Sequence, residues 1–155
     1  MSTCWGAEVR LGYPVESTRA CVPQAMTTLE EYGMHGLPMM VSEDASAAKP
    51  RLDVAFRDGT YYLYGLCGGS IAVDSVEQLR AEVLARGVGR ALYVYVLVPN
   101  APHAVFFPVM ALTTDNTDNT DDLERRWREL DELLHQNGAV GMGHVGDGAA
   151  AFRCV

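Results

Sequence analysis

The 155-residue chain is short of positive charge: 12 Lys and Arg stand against 20 Asp and Glu, for a net charge of -8. That is the wrong sign for a protein that grips nucleic acid through its overall field. Any polyanion would have to be met by a local basic patch or by a metal. Long apolar runs are also missing. The longest, Ala91 to Val98 continued by Ala104 to Leu112, is broken by Pro99, Asn100, Pro102 and His103, well short of the roughly 20 residues of a membrane helix. Met1 to Gly6 has neither the basic nor the apolar region of a secretory signal. Cys4, Cys21, Cys67 and Cys154 contain no C-x-x-C pair, so a reduced, intracellular compartment is expected and no membrane partner. There is no H-E-x-x-H, no Gly-x-Ser-x-Gly elbow and no phosphate loop, and His35, His103, His135 and His144 lack metal-ligand spacing. Gly141-x-Gly143-x-x-Gly146 has the spacing of a dinucleotide fingerprint but not the long helix that must follow one.

What is present reads as one α/β domain with a mixed β-sheet and helices. The composition, 48% hydrophobic and 21% charged, is that of a chain that closes around one core. Residues 1–36, punctuated by Pro and Gly, are expected to be an irregular segment packed on that core, with at most a short helix over Gln24 to Tyr32. The cluster Met34, Met39 and Met40 reads as core filling. Residues 37–155 form the domain. Leu37 to Val41 reads as the first strand. Alternation in Arg51 to Arg57, the Asp58-Gly59 turn and the run Tyr61 to Leu66 predict a hairpin over 51–66. Ser75 or Asp74 caps a helix with Val76, Leu79 and Val83 on one stripe and Gly87 at its end. Arg90 to Val98, continuously apolar, predicts a central strand covered on both faces, with Phe106 to Thr113 beside it. A helix from about 121 to 136 should bury Leu123, Trp127, Leu130 and Leu134 behind an Asp121/Glu124 capping box. Ala139 to Val145 then reads as a glycine-rich strand delivering Gly146-Asp147-Gly148.

The segment Asp115 to Glu132 holds eight acids and three arginines. Its Asp115, Asp118 and Asp121 recur every third residue with no glycine at the position an EF-hand requires, so it reads as a solvated loop feeding a capped helix. Two other acids have more distinctive settings. Asp44 follows the first apolar run and Asp147 ends the last strand. Carboxylates delivered by adjacent strands can share a divalent ion, as metal-assisted phosphoryl transfer requires.

The order of these motifs resembles the catalytic core of P-element-like DDE transposases. The resemblance rests on Glu43-Asp44, the Arg51-to-Gly69 hairpin with Tyr64-Gly65-Leu66, the Tyr93-to-Val98 strand, Phe107-Pro108-Val109, the helix around Trp127, and Val145 to Ala150. It spans about residues 37–155. It implies an RNase H-like fold, incomplete at the C-terminus, with the Ser75-to-Arg86 helix as an insertion. It makes Asp44 and Asp147 the catalytic, metal-binding acids for Mg²⁺ or Mn²⁺, with Glu43 or Asp115 assisting. No residue matches the family's third acid, so the implied function is a transposase- or nuclease-related domain acting on nucleic acid, truncated or inactive. Lys49, Arg51 and Arg57 form the nearest basic patch for DNA, one that would bind weakly and with strong salt dependence. The reading weighed against it is a non-catalytic protein–protein interaction module, dimeric or bound to another protein through an exposed strand edge and the acidic helix.

Overall fold

The computed structural model describes residues 18–146; Asp147, Cys4 and Cys154 lie outside the described residues. Among the described residues three helices and seven strands are arranged as a mixed α/β fold: α1 (Thr18–Glu31), β1 (Pro38–Ala47), β2 (Asp53–Arg57), β3 (Thr60–Tyr64), β4 (Ile71–Val73), α2 (Val76–Arg86), β5 (Ala91–Pro99), β6 (Phe107–Thr114), α3 (Thr120–Gln136) and β7 (Val140–Gly146). The strands form two sheets rather than the single one expected: a four-stranded sheet ordered β6-β5-β1-β7 and a three-stranded sheet ordered β2-β3-β4. β1 and β7 are parallel. The Asn100 N–H donates to the Pro38 carbonyl and the Ala48 N–H to the Arg90 carbonyl, so opposite ends of β1 and β5 meet and the two run antiparallel. The Arg90 N–H likewise donates to the Thr114 carbonyl, 2.6 Å away, setting the start of β5 against the end of β6. Among the described residues no helix is long and apolar enough to cross a membrane.

By contacts the chain divides into two compact units. Of the described residues, one unit contains those up to Asp44, Val94–Ala111 and those from Asn119; the other contains Ala45–Tyr93 and Leu112–Asp118. In the first, α3 buries Leu123, Trp127, Leu130 and Leu134, as the i, i+4, i+7, i+11 spacing predicts. Its cap is Asn119, not Asp121. The Asn119 side chain accepts the Asp122 N–H at 3.1 Å while the Asp122 carboxylate accepts the Asn119 N–H, because the helix starts one residue before Asp121. On its surface Arg128 meets Glu124 at 2.9 Å and Arg125 meets Asp122 at 2.9 Å. The α1 helix lies against α3 and buries Cys21, Val22, Ala25, Met26 and Leu29. It is a longer helix than the expected Gln24 to Tyr32. Pro23 falls inside it, and the apolar stripe on both sides of that proline outweighs the one backbone hydrogen bond proline removes.

The hairpin defines the second unit. Asp58 and Gly59 both have positive φ, 50° and 81°, as a two-residue type I′ turn requires, and β2 and β3 pair in the register Arg57↔Thr60 to Asp53↔Tyr64. Gly65, at φ 88°, follows the hairpin where a Cβ would collide with the Arg51 carbonyl oxygen, so only glycine fits. Leu63, Leu66 and Val73 form a small core, and Leu79 and Val83 of α2 pack against it. Val76, expected on the same stripe, is exposed.

Candidate functional site

The β1 strand decides which acids can act together. Its backbone stays extended past the apolar run through Ser42 to Ala47, and successive side chains of a strand point to opposite faces. Met39, Val41 and Glu43 are therefore buried, whereas Met40 and Asp44 are exposed. Met40 thus leaves the core that Met39 fills. Glu43 and Asp44, adjacent in sequence, face opposite ways and cannot share one ligand, so Glu43 does not assist Asp44.

On the side of the sheet that Val41 and Glu43 face, a polar cluster meets α3, with Glu43 and Tyr95 buried and His144 exposed at its rim. The ladder pairs Val41 with His144 and Glu43 with Gly146, which turns His144 toward the helix. Its Nε2 lies 3.0 Å from Asp131 Oδ2, and its ring meets the Trp127 ring edge-on at 4.3 Å between centroids. Trp127 in turn takes Tyr95 edge-on at 5.4 Å. The Tyr95 hydroxyl feels both the Glu43 carboxylate and the Arg126 guanidinium; burial first, and the Glu43 charge second, hold its pKa far above the ordinary value. A buried carboxylate costs several kcal/mol unless a cation and hydrogen bonds accompany it, and Arg126 supplies the positive charge here. Sequence reasoning missed this cluster. Its available signal was Glu43 in phase with Met39 and Val41.

The other side of the same strands carries Asp44. The half-buried Ser42 pairs with the exposed Val145, and the last described pair of the ladder is Glu43 with Gly146. Asp44 follows Glu43 in β1, while Asp147 follows Gly146 in the sequence and lies outside the described residues. Among the described residues no three His, Cys, Asp or Glu side chains converge. Carboxylate oxygens are hard donors of the kind Mg²⁺ and Mn²⁺ prefer, so the chemistry of an Asp44/Asp147 pair fits such an ion.

The remaining candidates are occupied locally. Asp115 Oδ1 accepts both the Thr117 N–H and the Thr117 hydroxyl, and these bonds hold its carboxyl below the usual range. Of the basic residues, Lys49 is exposed. Arg51 Nη2 sits 3.0 Å from Asp53 Oδ1, and the Arg57 guanidinium lies 5.6 Å over the Tyr64 ring. Two of the three are thus already engaged within the hairpin. The β5 strand shows a further departure: Ala91, Tyr95, Leu97 and Pro99 are buried, but Leu92, Val94, Val96 and Val98 only half so, so one face of this central strand is less covered than its unbroken apolar run predicts. Compared with family models, curated proteins and solved structures, the chain matches none of them.

Proposed function

We propose that this chain is an RNase H-like, transposase- or nuclease-related domain that holds Mg²⁺ or Mn²⁺ between Asp44 and Asp147 and acts on a nucleic-acid phosphodiester. The observation that carries the reading is the parallel β1–β7 ladder, whose last described pair is Glu43↔Gly146; Asp44 and Asp147 are the residues that follow these two in the sequence. Three features support it. The β6-β5-β1-β7 order sets three antiparallel strands beside a fourth, parallel one reached through α3, as an RNase H-like core requires. Asp44 is exposed rather than committed to the core. The buried Glu43 cluster ties β1 to α3 on the opposite side, which fixes the strand that presents Asp44. A divalent ion there supplies Lewis acidity toward phosphate oxygens, and the two carboxylates position it.

Thermal unfolding with and without Mn²⁺ tests this. An ion at 100 times its dissociation constant stabilises the folded state by about 2.7 kcal/mol. Asp147→Asn, or Asp44→Asn, should leave the metal-free protein as stable as before or more so, since like charges no longer repel, and should abolish the Mn²⁺-induced rise in Tm. Asp118→Asn should keep the rise. If Asp118→Asn removes the response while Asp147→Asn retains it, the ion sits in the acidic loop and the interaction-module reading replaces this one.

A further inference from the structure

The outer edge of the β2–β3 hairpin is bare in its backbone and apolar in its side chains. In a hairpin closed by a two-residue turn, the pair flanking the turn exchanges both hydrogen bonds, and such pairs alternate along the strands. Arg57, Ala55 and Asp53 therefore spend their N–H and C=O groups on β3, and those of Val54 and Phe56 point away from it. Among the described residues β2 has β3 alone as a hydrogen-bonded neighbour, and no other described backbone group bonds to Val54 or Phe56. Their side chains are 51% and 61% exposed. Tyr61, opposite Phe56 and on the same face, is 56% exposed, with its ring 4.7 Å from the Phe56 ring. Proteins protect such edges with short strands, charges, proline or bulges; β2 is five residues long and ends in Asp53 and Arg57, but it has no proline and no bulge.

We infer that a second copy of this chain covers the edge, β2 pairing antiparallel with β2 about a two-fold axis at Ala55. Charge selects this register. With only Val54 and Phe56 offering outward groups, three self-pairings exist. Val54 opposite Val54 sets Arg51 against the other copy's Arg57, a like-charge contact. Phe56 opposite Phe56 sets Val54 against Asp58 and leaves Asp53 facing Gly59. Val54 opposite Phe56 makes four main-chain hydrogen bonds, sets Asp53 against Arg57 at both ends, and joins Val54, Phe56 and Tyr61 of the two copies into one apolar face. An isologous contact needs a self-complementary strand, and Asp-Val-Ala-Phe-Arg is one: opposite charges flank two apolar residues around a small centre. Arg57 retains its place over Tyr64 and Asp53 is half exposed beside Arg51, so the facing pairs form without rebuilding the hairpin. The edge is only five residues long, so association is weak and concentration-dependent. The inference is independent of the metal site.

Sedimentation velocity of the full chain over a concentration series should show a monomer–dimer equilibrium. Asp53→Arg alone and Arg57→Asp alone should each weaken it by roughly tenfold or more, since two facing pairs change from opposite to like charge. An equimolar mixture of the two variants should associate again, because one copy then carries two positive ends and the other two negative ends, and opposite charges face each other at both. Hydrogen exchange in the unmodified protein provides a test that needs no variant: the Val54 and Phe56 amides should become protected as concentration rises, while Asp53, Ala55 and Arg57 are protected throughout. A monomer at every concentration, single charge reversals without effect, a mixture that stays monomeric, or Val54 and Phe56 amides whose exchange ignores concentration would each overturn the inference.

Discussion

Helices α2 and α3 both begin at a capped turn and both carry apolar residues at helical spacing, yet they are held by different forces. Along α3, four large apolar side chains are buried and the first turn is closed by a reciprocal Asn119/Asp122 box. In α2 no residue is buried. Ser75 caps it by accepting the Gln78 N–H, and the Gln78 side chain accepts from the Asp74 N–H instead of from the cap itself. At the other end Arg86 donates through Nε to the Cys67 carbonyl and through Nη2 to the Gly69 carbonyl, at 2.9 and 2.8 Å. The reason is the area each helix has to cover. The α2 helix meets a sheet whose strands are five, five and three residues long, which accommodates Leu79 and Val83 but not Val76 or Leu84. An 11-residue helix is marginal in water without docking, so polar anchors at both ends do for α2 what burial does for α3.

The largest expected effect follows from that contrast. Trp127 lies between Tyr95 and His144 on the buried stripe of α3, and Trp127→Ala should cost about 3–5 kcal/mol in urea unfolding. Leu79→Ala, on the half-buried stripe of α2, should cost clearly less. Equal losses at the two positions would erase the distinction between the helices.

The same contrast shows what the sequence could reveal. The hairpin and α3 were legible because their signals are local: the Asp58-Gly59 turn carries its own backbone chemistry, and four apolar residues at helical spacing specify a buried face wherever they dock. Partner choice between strands is not local, so the division into two sheets was hidden, and so was the half-open second face of β5. The α1 helix reads shorter in sequence, as Gln24 to Tyr32, because the cost of Pro23 is visible there while the compensating burial of Cys21 to Leu29 is not. Along β1 the apolar run ends at Val41, but the strand extends through Ala47. That extension fixes Glu43 inside and Asp44 outside, and a run of mixed polar residues gives no sign of it.

The buried cluster under β1 sets the next effect, which depends on pH. Tyr95 has an ordinary pKa of 10.0 when unfolded and a raised one when folded, through burial and the Glu43 charge. Between those two values the unfolded chain has released the proton that the folded chain still holds, so the folded state loses stability as pH rises above 10.0, by up to about 1.4 kcal/mol per unit. The contribution is fully present below that pH. Tyr95→Phe removes this dependence, so the stability gap between the unmodified protein and the variant should shrink as pH climbs from 9 toward 11. A gap that stays constant across that range would mean that Tyr95 titrates as an exposed tyrosine does, and that the pocket beside Trp127 is open to water.

The smallest effect belongs to the outer side of α2. Leu84 is 81% exposed and Val76 is 70% exposed, and with Arg80 between them at i, i+4 and i+8 they form the row next to Leu79 and Val83 that the small sheet leaves uncovered. An exposed apolar side chain stabilises little, because folding removes little of its surface from water. Glutamine matches leucine in helix propensity, which isolates burial as the variable. Leu84→Gln should therefore change the unfolding free energy by no more than about 0.5 kcal/mol, whereas Leu134→Gln, at a fully buried position of α3, should cost several times as much, since it places an amide among apolar neighbours. Measuring both in one buffer gives the ratio directly. A loss above 1 kcal/mol for Leu84→Gln would show that this side of α2 is covered in solution, and the helix would then be held by burial after all rather than by its caps and the Arg86 anchor.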